Sequence, residues 1–203
     1  MIYFSNKEKI NIMKPKEHPN RVLRYFTDVN GVECAELRLG RSGSFIIDAA
    51  DVAWVLTRTW GFDYSAHRKD KHYVHSHQPF TRLHRFLLGV TDPKQYVDHA
   101  NGDPLDNRRS NIRLATASQN AANQIRRQRS ATGYRGVYQV YHRYHARLKI
   151  NGYKRHLGTF ATPEAAAMAW NWEALRSWGS FARLNVIMSL SDIQYCIYQL
   201  MMY

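Results

Sequence analysis

The sequence predicts an α+β protein made of two small domains, and three observations lead there. Short stretches of alternating apolar residues bounded by turn residues recur in both halves of the chain, and helical spacing appears only in runs between them. Charge is also divided unevenly, because an acid-free basic block begins near the middle. With 203 residues, 44% of them hydrophobic, the chain has enough apolar material for two packed cores.

Taken in order, residues 1–20 hold Lys7, Glu8, Lys9, Lys14, Lys16 and Glu17 among two prolines, show no period, and are expected to form a flexible arm. Between 25 and 47, Val32, Cys34, Leu37 and Leu39 alternate behind an Asn30-Gly31 turn, which predicts a hairpin. Asp48 reads as a helix cap, since Val52, Val55 and Leu56 follow at helical spacing. Strands are expected around 62–66 and 73–77, then an apolar helix over 83–88 closed by Gly89. These elements belong to one domain, 21–123.

The stretch 118–131 carries Gln, Asn and Arg with few large apolar residues and reads as a solvated linker or a basic helix lying on DNA, with 124–132 the linker proper. A second domain, 133–185, is then expected as a three-stranded antiparallel sheet plus a helix. Three short strands fall in 133–148 and 152–158, and Asn151-Gly152 is a hairpin turn. Thr162 and Pro163 supply cap and first-turn chemistry for a helix through Ala165, Ala166, Ala169, Trp170 and Ala174, with Trp170, Trp172 and Trp178 as apolar anchors. In the tail, 186–203, Ile193, Cys196, Ile197, Leu200 and Met201 share one helical face behind Ser191, an amphipathic helix expected to pack on the domain.

The formal charge is +13 and the pI is about 9.9, a surplus that calls for a polyanionic partner. Residues 108–163 contain no Asp or Glu, while Arg126, Arg127, Arg129, Arg135, Arg143, Arg147, Lys149, Lys154 and Arg155 all fall within them. Arginine interleaved with tyrosine favours phosphate and base contacts over a merely solvated face. Two cysteines, Cys34 and Cys196, make neither a disulfide framework nor a zinc ribbon and point to a reducing compartment. Neither a signal peptide nor a bilayer-length apolar stretch is apparent, so no membrane partner is expected and the location is read as cytoplasmic.

Residues 96–120 read YVDHANGDPLDNRRSNIRLATASQN. With Leu83-His84-Arg85 upstream, this segment resembles the HNH motif of phage and intron-encoded homing endonucleases over 83–120: the Asp-His pair, the NxxxN loop, the Leu-Ala-Thr strand and the closing Asn occur in order. The resemblance implies a ββα-metal fold and a DNA endonuclease that hydrolyses phosphodiesters with one divalent ion, Mg²⁺ or Mn²⁺, in a phage-infected bacterial cell. It implies His99 as general base, Asp98 and Asn120 as oxygen ligands of the ion, and Asn111 as the residue that accepts from the His99 imidazole and fixes its tautomer. The chemistry needs these types: an activated water, a cation against the charge growing on the phosphoryl oxygens, and a base near neutral pH. Asn101-Gly102-Asp103-Pro104, Asp106 and Asn107 read as turn and capping residues, and His84 as a structural hydrogen-bonding residue. His67, His72, His75 and His77 crowd one stretch without the spacing of a zinc module, and read as a polar hairpin facing DNA or solvent.

Residues 133–185 contain Tyr134-Arg135-Gly136-Val137, Leu157-Gly158-Thr159-Phe160, Glu164-Ala165-Ala166 and Leu184-Asn185. In that order they resemble the plant APETALA/ethylene-response-factor (ERF) DNA-binding domain. The resemblance implies a sheet laid in the major groove and braced by a helix, with Arg135, Arg143, Tyr144, Arg147, Lys149 and Arg155 projecting toward double-stranded DNA and Arg126 and Arg127 assisting from the linker. Tyr138, Val140 and Tyr144 stand where the plant domains have other residues, so their target sequence is not transferred. A monomer on DNA with no protein partner is expected. The rivals are a non-catalytic DNA-binding transcription regulator, which has no need of Asp98, His99, Asn111 and Asn120, and an RNA-binding module, which a sheet suited to the B-form groove disfavours.

Overall fold

A computed structural model describes residues 18–40, 43–62, 73–124 and 131–187. The chain packs as two compact units, Met1–Ala115 and Thr116–Tyr203, dividing inside the motif segment. Among the described residues no helix is long and apolar enough to cross a membrane. The N-terminal arm up to residue 17, His67 and His72, Arg126 and Arg127, and the tail helix from residue 188 lie outside the described residues.

The first unit opens with β1 (Val22–Thr27), β2 (Glu33–Leu39) and β3 (Gly43–Asp48), an antiparallel meander in that order. Gly31, at φ +80°, supplies the left-handed step of the expected turn, and Asp28 caps it by accepting from the amides of Asn30 and Val32. A third strand joins the predicted pair because Phe45 and Ile47 alternate inward on β3 as Leu37 and Leu39 do on β2. The helix behind Asp48 is shorter than its spacing suggested: a 3-10 turn, Ala49–Asp51, runs into α1 (Val52–Val55), and Asp48 stands at the N-cap without a side-chain cap bond.

Next come β4 (Gly61–Phe62), β5 (Val74–His77) and β6 (Phe80–Arg82), a second small sheet leading directly into α2 (Leu83–Leu87), with Gly89 at φ +65° behind it. One core joins the two sheets: Leu37, Leu39, Phe45, Ile47, Val55, Trp60, Val74, Leu83 and Leu87 are all buried in it, with Ile112 from the motif. Burying a side chain of this size contributes roughly 1.5–3 kcal/mol. Last in the unit are β7 (Tyr96–His99) and β8 (Ile112–Ala115), paired antiparallel with Asp98 opposite Arg113 and His99 opposite Ile112.

The second unit begins with α3 (Ala117–Asn123), where a linker or a helix on DNA was expected. Thr116 accepts from the Gln119 amide while the Gln119 side chain accepts from the Thr116 amide, a reciprocal cap that starts a helix of low apolar content. Strands β9 (Val137–Val140), β10 (Arg143–Ile150) and β11 (Tyr153–Phe160) form an antiparallel sheet with β10 central. Asn151 and Gly152, both at positive φ, make the tight turn their dipeptide predicts.

Helix α4 (Pro163–Trp178), capped by Thr162 accepting from the Ala165 amide, lays Ala166, Ala167, Trp170, Ala174 and Trp178 inward, where they pack with Val137, Ala146 and Leu148. Trp172 does not anchor anything: it is 74% exposed, because positions 170, 174 and 178 take the buried face. Gly136 makes the closest approach in this unit. A Cβ there would lie 2.1 Å from the Trp170 Nε1, and its φ is +75°.

Candidate active site and nucleic-acid interface

Antiparallel pairing of β7 with β8 sets Asp98 and His99 side by side and buries both. Arg113, directly across the ladder from Asp98, donates to its Oδ2 from Nε at 3.0 Å, and the terminal guanidinium nitrogen is also within 3.0 Å. The His99 Nε2 lies 3.3 Å from the Asn107 Oδ1. Asn107 Nδ2 donates to the Pro104 carbonyl at 3.2 Å, which turns the amide oxygen toward the imidazole. An amide oxygen only accepts, so Nε2 is the donor and, in the neutral ring, Nδ1 keeps the lone pair. Burial holds the His99 pKa below its ordinary value, while the Asn107 hydrogen bond and the charge of Asp98 pull the other way.

Asn111 was expected to hold His99, and the structure corrects this. Its Oδ1 accepts from the Asn101 amide at 2.9 Å, and its Nδ2 donates to the Asn101 Oδ1 at 3.0 Å and the Asp106 carbonyl at 2.7 Å. Both ends of the carboxamide are therefore spent on the 101–106 loop, and Asn107, read from sequence as a cap, is the residue beside the imidazole. It is 1% exposed. The pair of amides spaced four apart was the signal; the fold of the loop decides which one reaches the ring.

Asp106 is likewise more than a turn residue. Its carboxylate takes Arg108 through Nε at 2.8 Å and the guanidinium terminus at 2.7 Å, and Arg108 also donates to Asp28 at 2.9 Å. Burial alone would raise the Asp106 carboxyl, yet the Arg108 bonds and charge outweigh it and leave the pKa below the usual range. Arg109 grips Asp51 with two nitrogens, at 2.8 and 2.7 Å. The loop backbone is tied to β3: Ile46 donates to the Leu105 carbonyl and Asn107 donates to the Ile46 carbonyl.

His84, in the first turn of α2, packs edge-on against His99, with ring centroids 4.9 Å apart and planes at 85°. Burial first, then the neighbouring His99 charge, push its pKa well below the ordinary histidine value. Asn120 is half-buried on α3, in the second unit. Among the described residues no group of three or more His, Cys, Asp or Glu side chains is arranged to hold a metal ion. Of the histidines expected on a polar hairpin facing DNA or solvent, His77 is exposed but His75 is only 3% exposed.

On the second unit, parity along β10 sorts the predicted DNA contacts. Tyr144, Ala146, Leu148 and Ile150 turn toward α4, so Arg143, His145, Arg147 and Lys149 share the opposite face. Pairing extends this face to Tyr138 and Val140 on β9 and to Lys154, His156 and Thr159 on β11. Three residues expected to project with them do not. Tyr144 packs in the core, and Arg155, across from Leu148, pairs with Glu173 of α4 at 2.6 Å. Arg135 donates to the carbonyls of Ala122 and Ala121 at 2.7 and 3.2 Å and stacks 5.3 Å over the Trp170 ring, closing the end of α3. Asn185, buried, accepts from the Arg135 amide and exchanges two bonds with Asn171, which gives the Leu184-Asn185 pair a structural purpose.

The structure thus places a buried Asp-His pair on a hairpin, closed by a loop of mutually bonded amides. Residues 90–122 match the family model described as HNH endonuclease. The chain is also 33% identical over 112 residues to a protein of Acanthamoeba polyphaga mimivirus described as an uncharacterized HNH endonuclease. That match takes in 52% of this chain and 58% of the relative, so the chain spans little more than half the length of the curated protein it matches. No solved structure matches the chain.

Proposed function

We propose that the chain is a metal-dependent DNA endonuclease of the homing type, cutting double-stranded DNA as a monomer in the cytoplasm, with an ERF-type reader in its second unit. The observation that carries the reading is the buried Asp98–His99 pair with Asn107 orienting the imidazole. In this reading His99 takes a proton from water at Nδ1. The hydroxide attacks phosphorus and the P–O bond to the leaving sugar oxygen breaks, that oxygen collecting a proton from solvent.

Asp98 and Asn120 offer only oxygen donors, a carboxylate and a carboxamide, which is the donor chemistry a hard cation such as Mg²⁺ or Mn²⁺ takes. Asp98 and Asn120 would hold it, with water and the scissile phosphate supplying the remaining oxygens. A divalent ion supplies Lewis acidity toward the phosphoryl oxygens. Arg113, on the Oδ2 of Asp98, orients that carboxylate and offsets its charge. Asn111 acts at one remove, by shaping the loop that carries Asn107.

The outward basic face of β10 supports a DNA-reading role, with Arg143, Arg147 and Lys149 as the contacts; Arg126 and Arg127, outside the described residues, are added to them on the sequence alone. That face alone would equally serve a non-catalytic regulator. Supercoiled plasmid incubated with and without Mg²⁺ separates the two: cleavage that needs the ion and stops in excess chelator, while DNA binding persists, is the expected result. Binding with no cleavage under any divalent ion would establish the regulator, and undiminished cleavage in chelator would remove the metal from the reading.

A further inference from the structure

His75 and His77 stand two residues apart on β5, so strand alternation turns both toward one face. Their Nε2 atoms converge to 3.2 Å, with ring planes at 85°. Two imidazoles bound to one tetrahedral ion at the ordinary Zn–N distance hold their nitrogens about 3.3 Å apart. The pair is therefore already spaced as a chelate. His75 is 3% exposed, and the ring of Phe80, an exposed residue paired with His77 across the hairpin, lies 5.5 Å from it, so an apolar ring stands beside the pair. His77 is exposed and leaves an approach from solvent.

No partner among the described residues bonds the Nδ1 of His75, so no second hydrogen bond dictates a tautomer that would use up the Nε2 lone pair. Arg82 stands opposite His75 in the ladder, and its guanidinium lies over the Tyr73 ring, 4.9 Å from the centroid.

We propose that His75 and His77 form a two-imidazole site for a borderline divalent transition-metal ion of the zinc class, completed by water. The site differs in donor chemistry from the oxygen-only set of Asp98 and Asn120: nitrogen donors select Zn²⁺, Ni²⁺ or Cu²⁺ over Mg²⁺. It sits at the start of the hairpin that runs through β6 into α2, the helix carrying His84. The proposal does not rest on the nuclease reading and survives its failure.

The test is equilibrium titration of the full chain with Zn²⁺ at near-neutral pH in excess Mg²⁺, which saturates oxygen-donor sites. The wild type is expected to take up Zn²⁺, and H77A to lose one equivalent or bind it at least about tenfold more weakly. H99A, altered at the other centre, is expected to keep that equivalent. His77 is exposed, so its substitution leaves the core intact; H77Q repeats the test with a polar side chain, and circular dichroism verifies the fold. Equal uptake by wild type and H77A overturns the proposal and leaves an imidazole–imidazole hydrogen bond as the whole content of the contact. Loss of the equivalent in H99A as well as H77A also overturns it, by placing the ion at the Asp98–His99 centre.

Discussion

Arginine plays opposite parts in the two units. In the first, Arg24, Arg108, Arg109 and Arg113 each meet a carboxylate, of Glu36, of Asp28 and Asp106, of Asp51 and of Asp98, and the last three of these arginines clamp the motif loop and β8 to their surroundings. In the second, residues 131–187 contain only two acids, Glu164 and Glu173, and Glu173 is shared by Arg155 and Arg176. Arg143, Arg147, Lys149 and Lys154 stand together on a face with no acid. Charge thus builds a site in one unit and presents a surface in the other, a division the net figure of +13 hides.

The strongest way to break this comparison is H99A, which removes the proposed base and is expected to slow plasmid cleavage on the order of a hundredfold or more while leaving DNA affinity unchanged. A parallel loss of affinity would mean that the first unit also binds. G136A comes next. Its Cβ would meet the Trp170 ring and its φ is left-handed, so the second unit should lose about 2 kcal/mol, read as an earlier transition in tryptophan fluorescence. A wild-type melting profile would show that the Arg135–Trp170 corner gives way freely.

The two parts of the arginine set can then be separated by salt. Replacing Arg147 and Lys149 with alanine should reduce the slope of log affinity against log salt by about 0.9 for each phosphate no longer neutralised, whereas R155A, whose partner is Glu173, should leave the slope alone. Equal effects would erase the distinction between the two faces. The smallest expected effect is of pH on stability. His18, His84 and His99, all in the first unit, have folded pKa values lowered first by burial. Each is neutral in both states above its unfolded value of about 6.5. As pH falls below that, the unfolded chain takes up protons that the folded one refuses, so stability declines until the depressed folded value is reached. Thermal melts stepped from neutral to mildly acidic pH should therefore lower the first transition, and substituting His84 with Gln should blunt the decline.

Much of this was legible as residues. Asn30-Gly31, Asn151-Gly152, Gly89 and Thr162-Pro163 marked turns and helix ends that the structure contains. Helix α3 was not singled out, standing only as the alternative to a solvated linker over 118–131, because a reciprocal Thr116–Gln119 cap substitutes for the apolar periodicity that usually announces a helix. Nor was the exchange of roles between Asn107 and Asn111, which depends on how the loop doubles back. The inward turn of Tyr144 and Arg155 could have been read: counting outward from the Asn151-Gly152 turn sets Leu148 against Arg155 and puts Tyr144 on the same side. Arg135 could not, since its partners are carbonyls on another element.

The bond from Arg108 to Asp28 spans 80 residues, and the loop it steadies is also paired to β3 at Ile46. Closing so long a loop costs conformational entropy before any contact rewards it, and such non-local contacts slow folding. The acceptor of His99 consequently comes into position only once the upstream meander exists to receive the loop. Chains emerge from the ribosome N-terminus first, so β1 to β3 are made before residues 101–111 follow, and the order of synthesis matches the order of assembly. The 90–122 stretch, excised from what precedes it, should collapse without the alignment its chemistry requires.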